Sequence, residues 1–132
     1  MTANIQVGST LPATYTSMGK MLLAGLTEEE LAVRITEASF AAPGGPNAKR
    51  SLAELRTELD HIRNEGFALQ DEELARGLRS IAVAVRGEDG GVVAAVNVAV
   101  SSARHDVASL RGPLLDLLRA AAADISLRLG AR

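Results

Sequence analysis

The chain has no cysteine and no tryptophan, and its aromatic residues are Tyr15, Phe40 and Phe67 alone. Without cysteine, disulfides and thiolate-held metals are excluded. Three aromatics leave almost nothing on which nucleic-acid bases could stack. Charge of one sign is also missing. Fourteen Lys and Arg are scattered among sixteen Asp and Glu, for a formal charge of −2, so no electrostatic footprint for a polyanion exists. Long apolar runs are absent too: the longest, Val92 to Val100, is broken by Asn97 and is far too short to span a bilayer. No basic-then-apolar signal opens the chain. The expectation is a soluble, cytoplasmic protein with no membrane partner and no cofactor.

What is present is an average globular composition, 47% hydrophobic and 23% charged in 132 residues, enough for one domain whose core is built from Ala, Val, Leu and Ile. The stretch from Phe67 to Ser101 provides its frame. Leu78 to Arg86 and Gly91 to Ser101 read as two long strands, joined across Glu88-Asp89-Gly90, with a shorter extended piece from Phe67 to Gln70 leading in. Apolar residues fill almost every position, so both faces need cover. Asp89-Gly90 is expected to supply the positive-φ residues of a hairpin turn.

Around this frame lie helical signals. Asn4 to Val7 reads as the tail of a strand, and Pro12 turns the chain. Met18, Met21, Leu22 and Gly25 recur at helical spacing up to Leu26, with Gly19 inside the helix implying a close backbone approach. Thr27-Glu28-Glu29-Glu30 is a capping box opening a second helix to about Glu37, with Leu31 and Ile35 inward. Phe40 to Arg50, with two prolines and two glycines, reads as an exposed, mobile loop. Ser51 to Glu54 repeats the capping box and starts a helix that buries Leu52, Leu55, Leu59 and Ile62 and ends at Gly66. Asp106 is a plausible cap for a last helix to Leu129, in which Pro113 should make a kink or mark the true start. Leu110, Leu114, Leu117, Leu118, Ala121, Ile125 and Leu129 form its apolar stripe. The expected fold is α+β, with helices on one face of an antiparallel sheet. Two strands and a stub make a poor sheet, so further strands are expected from a partner chain or from a longer protein.

Four blocks carry a resemblance: Gly8-Ser9-Thr10-Leu11-Pro12; Thr16-Ser17-Met18-Gly19-Lys20-Met21-Leu22-Leu23-Ala24; Leu55 to Ala68, with Glu58, Leu59, Ile62, Arg63, Gly66 and Phe67; and Asp71-Glu72-Glu73 followed by Gly77 to Val83. In this order they resemble the C-terminal effector-binding domain of IclR-type transcriptional regulators, and the branch governing protocatechuate and 4-hydroxybenzoate catabolism most of all. Tyr15, Lys20 and Ala84 depart from that branch. The resemblance implies a GAF-like or profilin-like antiparallel sheet with helices packed on it. It also implies a truncated domain, incomplete at its N-terminal strands and lacking the winged helix-turn-helix domain through which DNA is bound. The implied function is sensing a small carboxylic or aromatic acid of the protocatechuate, 4-hydroxybenzoate or β-ketoadipate type, in a homo-oligomer (dimer or tetramer), without enzymatic activity. By position, effector contacts would fall on Ser17, Met18, Gln70, Leu78, Ser80, Asn97 and Ala99.

Physical chemistry supports part of this set and offers alternatives. Asn97 is the single polar side chain in an apolar strand, and an unpaired buried amide costs about 1 to 3 kcal/mol. A ligand could satisfy it, as could a partner across the sheet such as Ser80. Ser17 sits at a helix start whose free amides can receive an anion, or is an ordinary helix-start serine. Gln70 could equally face water. Arg79 could grip a ligand carboxylate, although pairing with Asp71, Glu72 or Glu73 is the commoner arrangement. That acidic triplet, with no histidine nearby, reads as a solvated turn and not a metal site. His61 should be solvated. Ser102, His105 and Asp106 could be drawn as a hydrolytic triad but are too close in sequence for a nucleophile elbow. A pure dimerisation module is the remaining alternative.

Overall fold

The computed structural model describes residues 6–131. Its three strands, β1 (Ala68–Asp71), β2 (Leu78–Arg86) and β3 (Val92–Ser101), form an antiparallel sheet in sequence order with β2 in the middle. The helices are α1 (Ser17–Ala24), α2 (Glu28–Arg34), α3 (Leu52–Glu65), a single turn α4 (Val107–Ser109) and α5 (Leu115–Arg128). Asn4 and Ile5 of the expected strand tail lie outside the described residues, while Gln6 and Val7 are not in a strand.

The pleat of β2 divides the core in two. Ala82 and Ala84 face the cluster of Met21, Leu23, Leu31, Leu55, Leu59 and Ile62, from α1, α2 and α3. Ile81, Val83 and Val85 face Leu110, Leu115, Leu118 and Ala122. Successive strand residues point to opposite faces, so helices cover both sides of the sheet and not one, as a strand apolar on both faces requires. The hairpin turn also differs in detail. Gly90 alone is left-handed, at φ +84°, while the Asp89 carboxylate accepts from the Gly91 amide at 2.8 Å.

The caps form as their residues dictate, with one variation. Thr27 and Glu30 make the reciprocal capping box, and the Thr27 amide holds the Glu30 carboxyl below the usual carboxylate range. Ser51 accepts from the Glu54 amide, but the Glu54 carboxylate meets the Ser51 hydroxyl instead of its amide. Gly66 closes α3 in the left-handed conformation.

Pro113 neither breaks nor starts the last helix. Residues Leu110–Leu114 widen into a π turn, which accommodates a residue with no amide proton. Asp106 caps α4 through the Ser109 amide at 2.8 Å. The extra residue in the π turn shifts the helical phase. Leu110, Leu115, Leu118 and Ala122 are therefore buried, while Leu117, Ile125 and Leu129 of the expected stripe are 70%, 37% and 52% exposed.

Gly19 lies against the preceding turn. A Cβ there would stand 2.5 Å from Ala13 Cα and Thr16 Oγ1, and closer still to the Ala13 carbonyl. Gly112, by contrast, has open space around it. Gly19→Ala should cost about 1 to 3 kcal/mol of stability by overpacking, whereas Gly112→Ala should be neutral or gain up to about 1 kcal/mol. Denaturant unfolding of the two variants would check the contrast, and equal effects would contradict it.

Candidate functional site

The strongest polar feature is one that the sequence did not announce. Lys20, in the second turn of α1, is completely buried. Its Nζ donates to both Glu73 carboxylate oxygens at 2.9 and 3.0 Å, to the Leu69 carbonyl at 2.6 Å and to Glu58 Oε1 at 3.3 Å. Glu73, 3% exposed, also accepts from the Asp71 amide at 3.1 Å. The acidic triplet is thus not a solvated turn, since its last member is the counter-ion of a buried lysine. Lys20 and Glu73 together occupy the Leu69 carbonyl and the Asp71 amide, so the pair seals the outer edge of β1.

The turn between β1 and β2 is held from the other side by the Pro43 to Arg50 segment, which is packed down and not a free loop. The Gly45 amide donates to the Glu73 carbonyl at 2.8 Å, and the Asn47 amide to the Glu72 carbonyl at 3.1 Å. Arg50 Nη1 donates to the Tyr15 hydroxyl at 2.7 Å, and that hydroxyl in turn donates to the Ala42 carbonyl at 2.8 Å. Clamped on both sides, Glu72 takes a left-handed conformation at φ +54°, which is uncommon for a residue with a Cβ.

This turn places Gln70. Its Oε1 accepts from the Glu73 amide at 2.8 Å and the Leu74 amide at 3.3 Å, and its Nε2 donates to Ser80 Oγ at 3.2 Å. Ser80 Oγ donates in turn to Ser17 Oγ at 2.8 Å. Gln70, Ser80 and Ser17 are 1%, 5% and 1% exposed. The three form a fixed polar chain across β1, β2 and the start of α1.

All seven effector-contact positions implied by the resemblance, Ser17, Met18, Gln70, Leu78, Ser80, Asn97 and Ala99, line one cavity of about 260 Å³ beneath the first turn of α1. Leu11, Thr16 and Leu74 complete its wall, and sequence reasoning did not single them out. Ser17 and Met18 begin α1 at the cavity wall, and their amides have no intrahelical acceptor, so the start of the helix lies at the cavity. Asn97 stands opposite Ala82 and not Ser80 in the ladder. Asn97 is half-buried and not buried as expected, and among the described residues its side-chain amide makes no hydrogen bond, so the cross-strand partner suggested by the sequence is absent and no buried amide is left to satisfy.

Other candidates fall away. Arg79 points to the opposite face, where it pairs with Asp71 Oδ1 at 2.7 Å and donates to the Ser102 and His105 carbonyls. It is a structural residue and not a cavity group. No triad forms: His105 Nδ1 is 3.5 Å from Ser109 Oγ, and Asp106 is occupied by its cap. His61 is exposed. The described residues contain no cluster able to hold a metal ion, and none of their helices is long and apolar enough to cross a membrane.

Comparison with known proteins yields a consistent set. The family model for the C-terminal region of bacterial IclR transcriptional regulators matches residues 1–127. The Pca regulon regulatory protein of Pseudomonas putida is 34% identical over 128 residues, which cover 95% of this chain and 43% of that protein. Among solved structures, the Agobacterium tumefaciens repressor BlcR superposes with a TM-score of 0.86 at 27% identity, covering 96% of this chain and 51% of that one. The inducer-binding domain of the Acinetobacter transcription factor PobR, a double mutant in complex with 3-hydroxybenzoic acid, superposes with a TM-score of 0.75 at 29% identity over 88% of this chain and 66% of that one. The chain spans less than half the length of its curated relatives.

Breaking the buried pair has a calculable consequence. Lys20→Met leaves the buried Glu73 with only the distant Lys49 ammonium at 3.8 Å and should cost about 3 to 5 kcal/mol, while adding Glu73→Leu should recover part of the loss. Urea unfolding of the single and double variants measures both; an undiminished midpoint in Lys20→Met would show that the pair is not holding the fold.

Proposed function

Because this chain belongs to the family of IclR C-terminal domains, which is a family of transcriptional regulators and not of enzymes, we propose that its cavity binds a small carboxylic or aromatic acid as a regulatory effector. The observation that carries this reading is the convergence of Ser17, Met18, Gln70, Leu78, Ser80, Asn97 and Ala99 on one largely carbon-lined cavity with a helix N-terminus at its roof. Such a site offers flat apolar walls to a ring or short chain, amide donors to a carboxylate, and the unpaired Asn97 side chain to a hydroxyl or carbonyl. Protocatechuate, 4-hydroxybenzoate and β-ketoadipate are the candidate effectors. The P. putida relative, a Pca regulon regulatory protein, and the Acinetobacter inducer-binding domain, in complex with 3-hydroxybenzoic acid, support that choice.

In this reading the chain is the larger part of an effector domain, works in the cytoplasm and acts on DNA through a separate N-terminal domain. It also contributes to a homo-oligomer. The state of the sheet supports association: β1 is sealed, but β3 runs ten residues with no proline and no charged side chain, and its outer side has no strand beside it among the described residues. A further strand, from upstream chain or from a partner copy, fits that edge.

Calorimetry with protocatechuate, 4-hydroxybenzoate and β-ketoadipate should show saturable one-to-one binding of at least one of them, with no turnover. Asn97→Ala should weaken that binding about tenfold or more without lowering the melting temperature. If none of the three binds, the acid-effector reading is wrong.

A further inference from the structure

Resting on the acid-effector reading of the cavity, we propose that Arg76 recognises the effector's carboxylate, its guanidinium supplying from the rim the full positive charge that the cavity wall lacks. No lysine or arginine is among the lining residues, so the wall itself offers an acid only neutral donors. A carboxylate that leaves water for a largely carbon-lined space loses hydration that such donors restore only in part. Charge complementary to an acid therefore has to come from beside the wall.

The cations carried by α1, by β2 and by the turn before β2 are Lys20, Arg76, Arg79 and Arg86. Three of them are engaged. Lys20 is buried against Glu73 and Glu58. Arg79 is held on the other face of the sheet by Asp71 and by the Ser102 and His105 carbonyls. Arg86, at the far end of β2, donates to the Gly90 carbonyl. Arg76 is exposed, and its side chain makes no hydrogen bond or ion pair with another described residue.

Its neighbours place it at the cavity. Leu74 and Leu78, two residues to either side, both line the wall. The backbone around Arg76 is pinned: the Leu78 amide donates to the Ala75 carbonyl at 3.3 Å, the Glu72 amide to the Leu78 carbonyl at 2.9 Å, and the Ser102 amide to the Gly77 carbonyl at 2.9 Å. Gly77 turns the chain into β2 at φ +84°. The Arg76 side chain is thus a free cation on a fixed rim. Its carbon stem can lie along Leu74 or Leu78 while the planar fork meets both oxygens of one carboxylate.

Calorimetry on the intact chain near neutral pH with 4-hydroxybenzoate and its uncharged match, 4-hydroxybenzamide, isolates the charge. Arg76→Gln should weaken binding of the acid about three- to tenfold, the range of a partly exposed charged contact, and change binding of the amide by less than about twofold. Arg76→Lys, which keeps the charge and loses the fork, should recover part of the loss. Arg104 is the comparator: it is exposed and has no side-chain partner, and it lies in the turn after β3 whose Ser102 amide meets Gly77, but no residue within two positions of it lines the cavity. Arg104→Gln should therefore change acid binding by less than about twofold. Equal weakening by Arg104→Gln, equal weakening of the amide, or undiminished acid binding in Arg76→Gln each overturns the role of Arg76 while leaving the acid-effector reading standing. If protocatechuate or β-ketoadipate binds and 4-hydroxybenzoate does not, the same comparison on that acid and its carboxamide decides the matter. Absence of binding by all three acids to the parent chain contradicts the reading itself, and the role of Arg76 with it.

Discussion

The buried ion pair between Lys20 and Glu73 is the constraint from which the rest of the molecule follows. A lysine with no exposed surface is tolerated only if every donor is met, and here the acceptors come from α3, from the β1 backbone and from the turn after β1. Satisfying one ammonium therefore fixes three pieces of chain relative to α1. The same contacts cap the outward-facing groups of β1, so the sheet has one closed edge and one open edge. The Pro43 to Arg50 segment packs onto the clamped turn, reaching Glu73 through the Gly45 amide and approaching its carboxylate with Lys49 at 3.8 Å.

The candidate cavity is a by-product of that clamp. Because the Glu73 and Leu74 amides are presented inward, Gln70 is oriented, and through it Ser80 and Ser17. The result is a rigid polar rail along one wall and carbon on the others, beneath a helix N-terminus. The opposite end of the sheet has the reverse polarity. There α1 and α3 terminate, and arginines rather than anions meet their carbonyls. One end of the molecule thus has a helix start at its cavity, and at the other end arginines engage the helix-end carbonyls.

Much of this was legible in the residues. The β2–β3 hairpin, the Thr27–Glu30 capping box, the Ser51 cap and the Gly66 stop follow from local chemistry that acts within a few positions, and each forms within a residue or two of its expected place. Asn97 and Ser17 stood out by type and position, but the full set of seven was legible only by family resemblance, since nothing in their own types sets Ala99 or Leu78 apart from other core residues. What failed was non-local. The last helix was read at a constant 3.6-residue period, and the π turn around Pro113 moved its buried face by one residue. Lys20 stood out only as a departure from the family branch, because its partners lie 38 and 53 residues away. A segment rich in proline and glycine looked free, yet its glycines allow close packing against Tyr15 and the acidic turn.

Titration of the isotopically labelled chain with 4-hydroxybenzoate, followed by amide NMR, tests most directly whether the clamped cavity is the effector site. The account expects the largest shifts at the backbone amides of Ser17 and Met18 and at the side-chain amides of Gln70 and Asn97, with little change near Arg86 and Arg119. Shifts centred on Arg86, Arg119 and Ser126, with Ser17 and Asn97 unmoved, would contradict it.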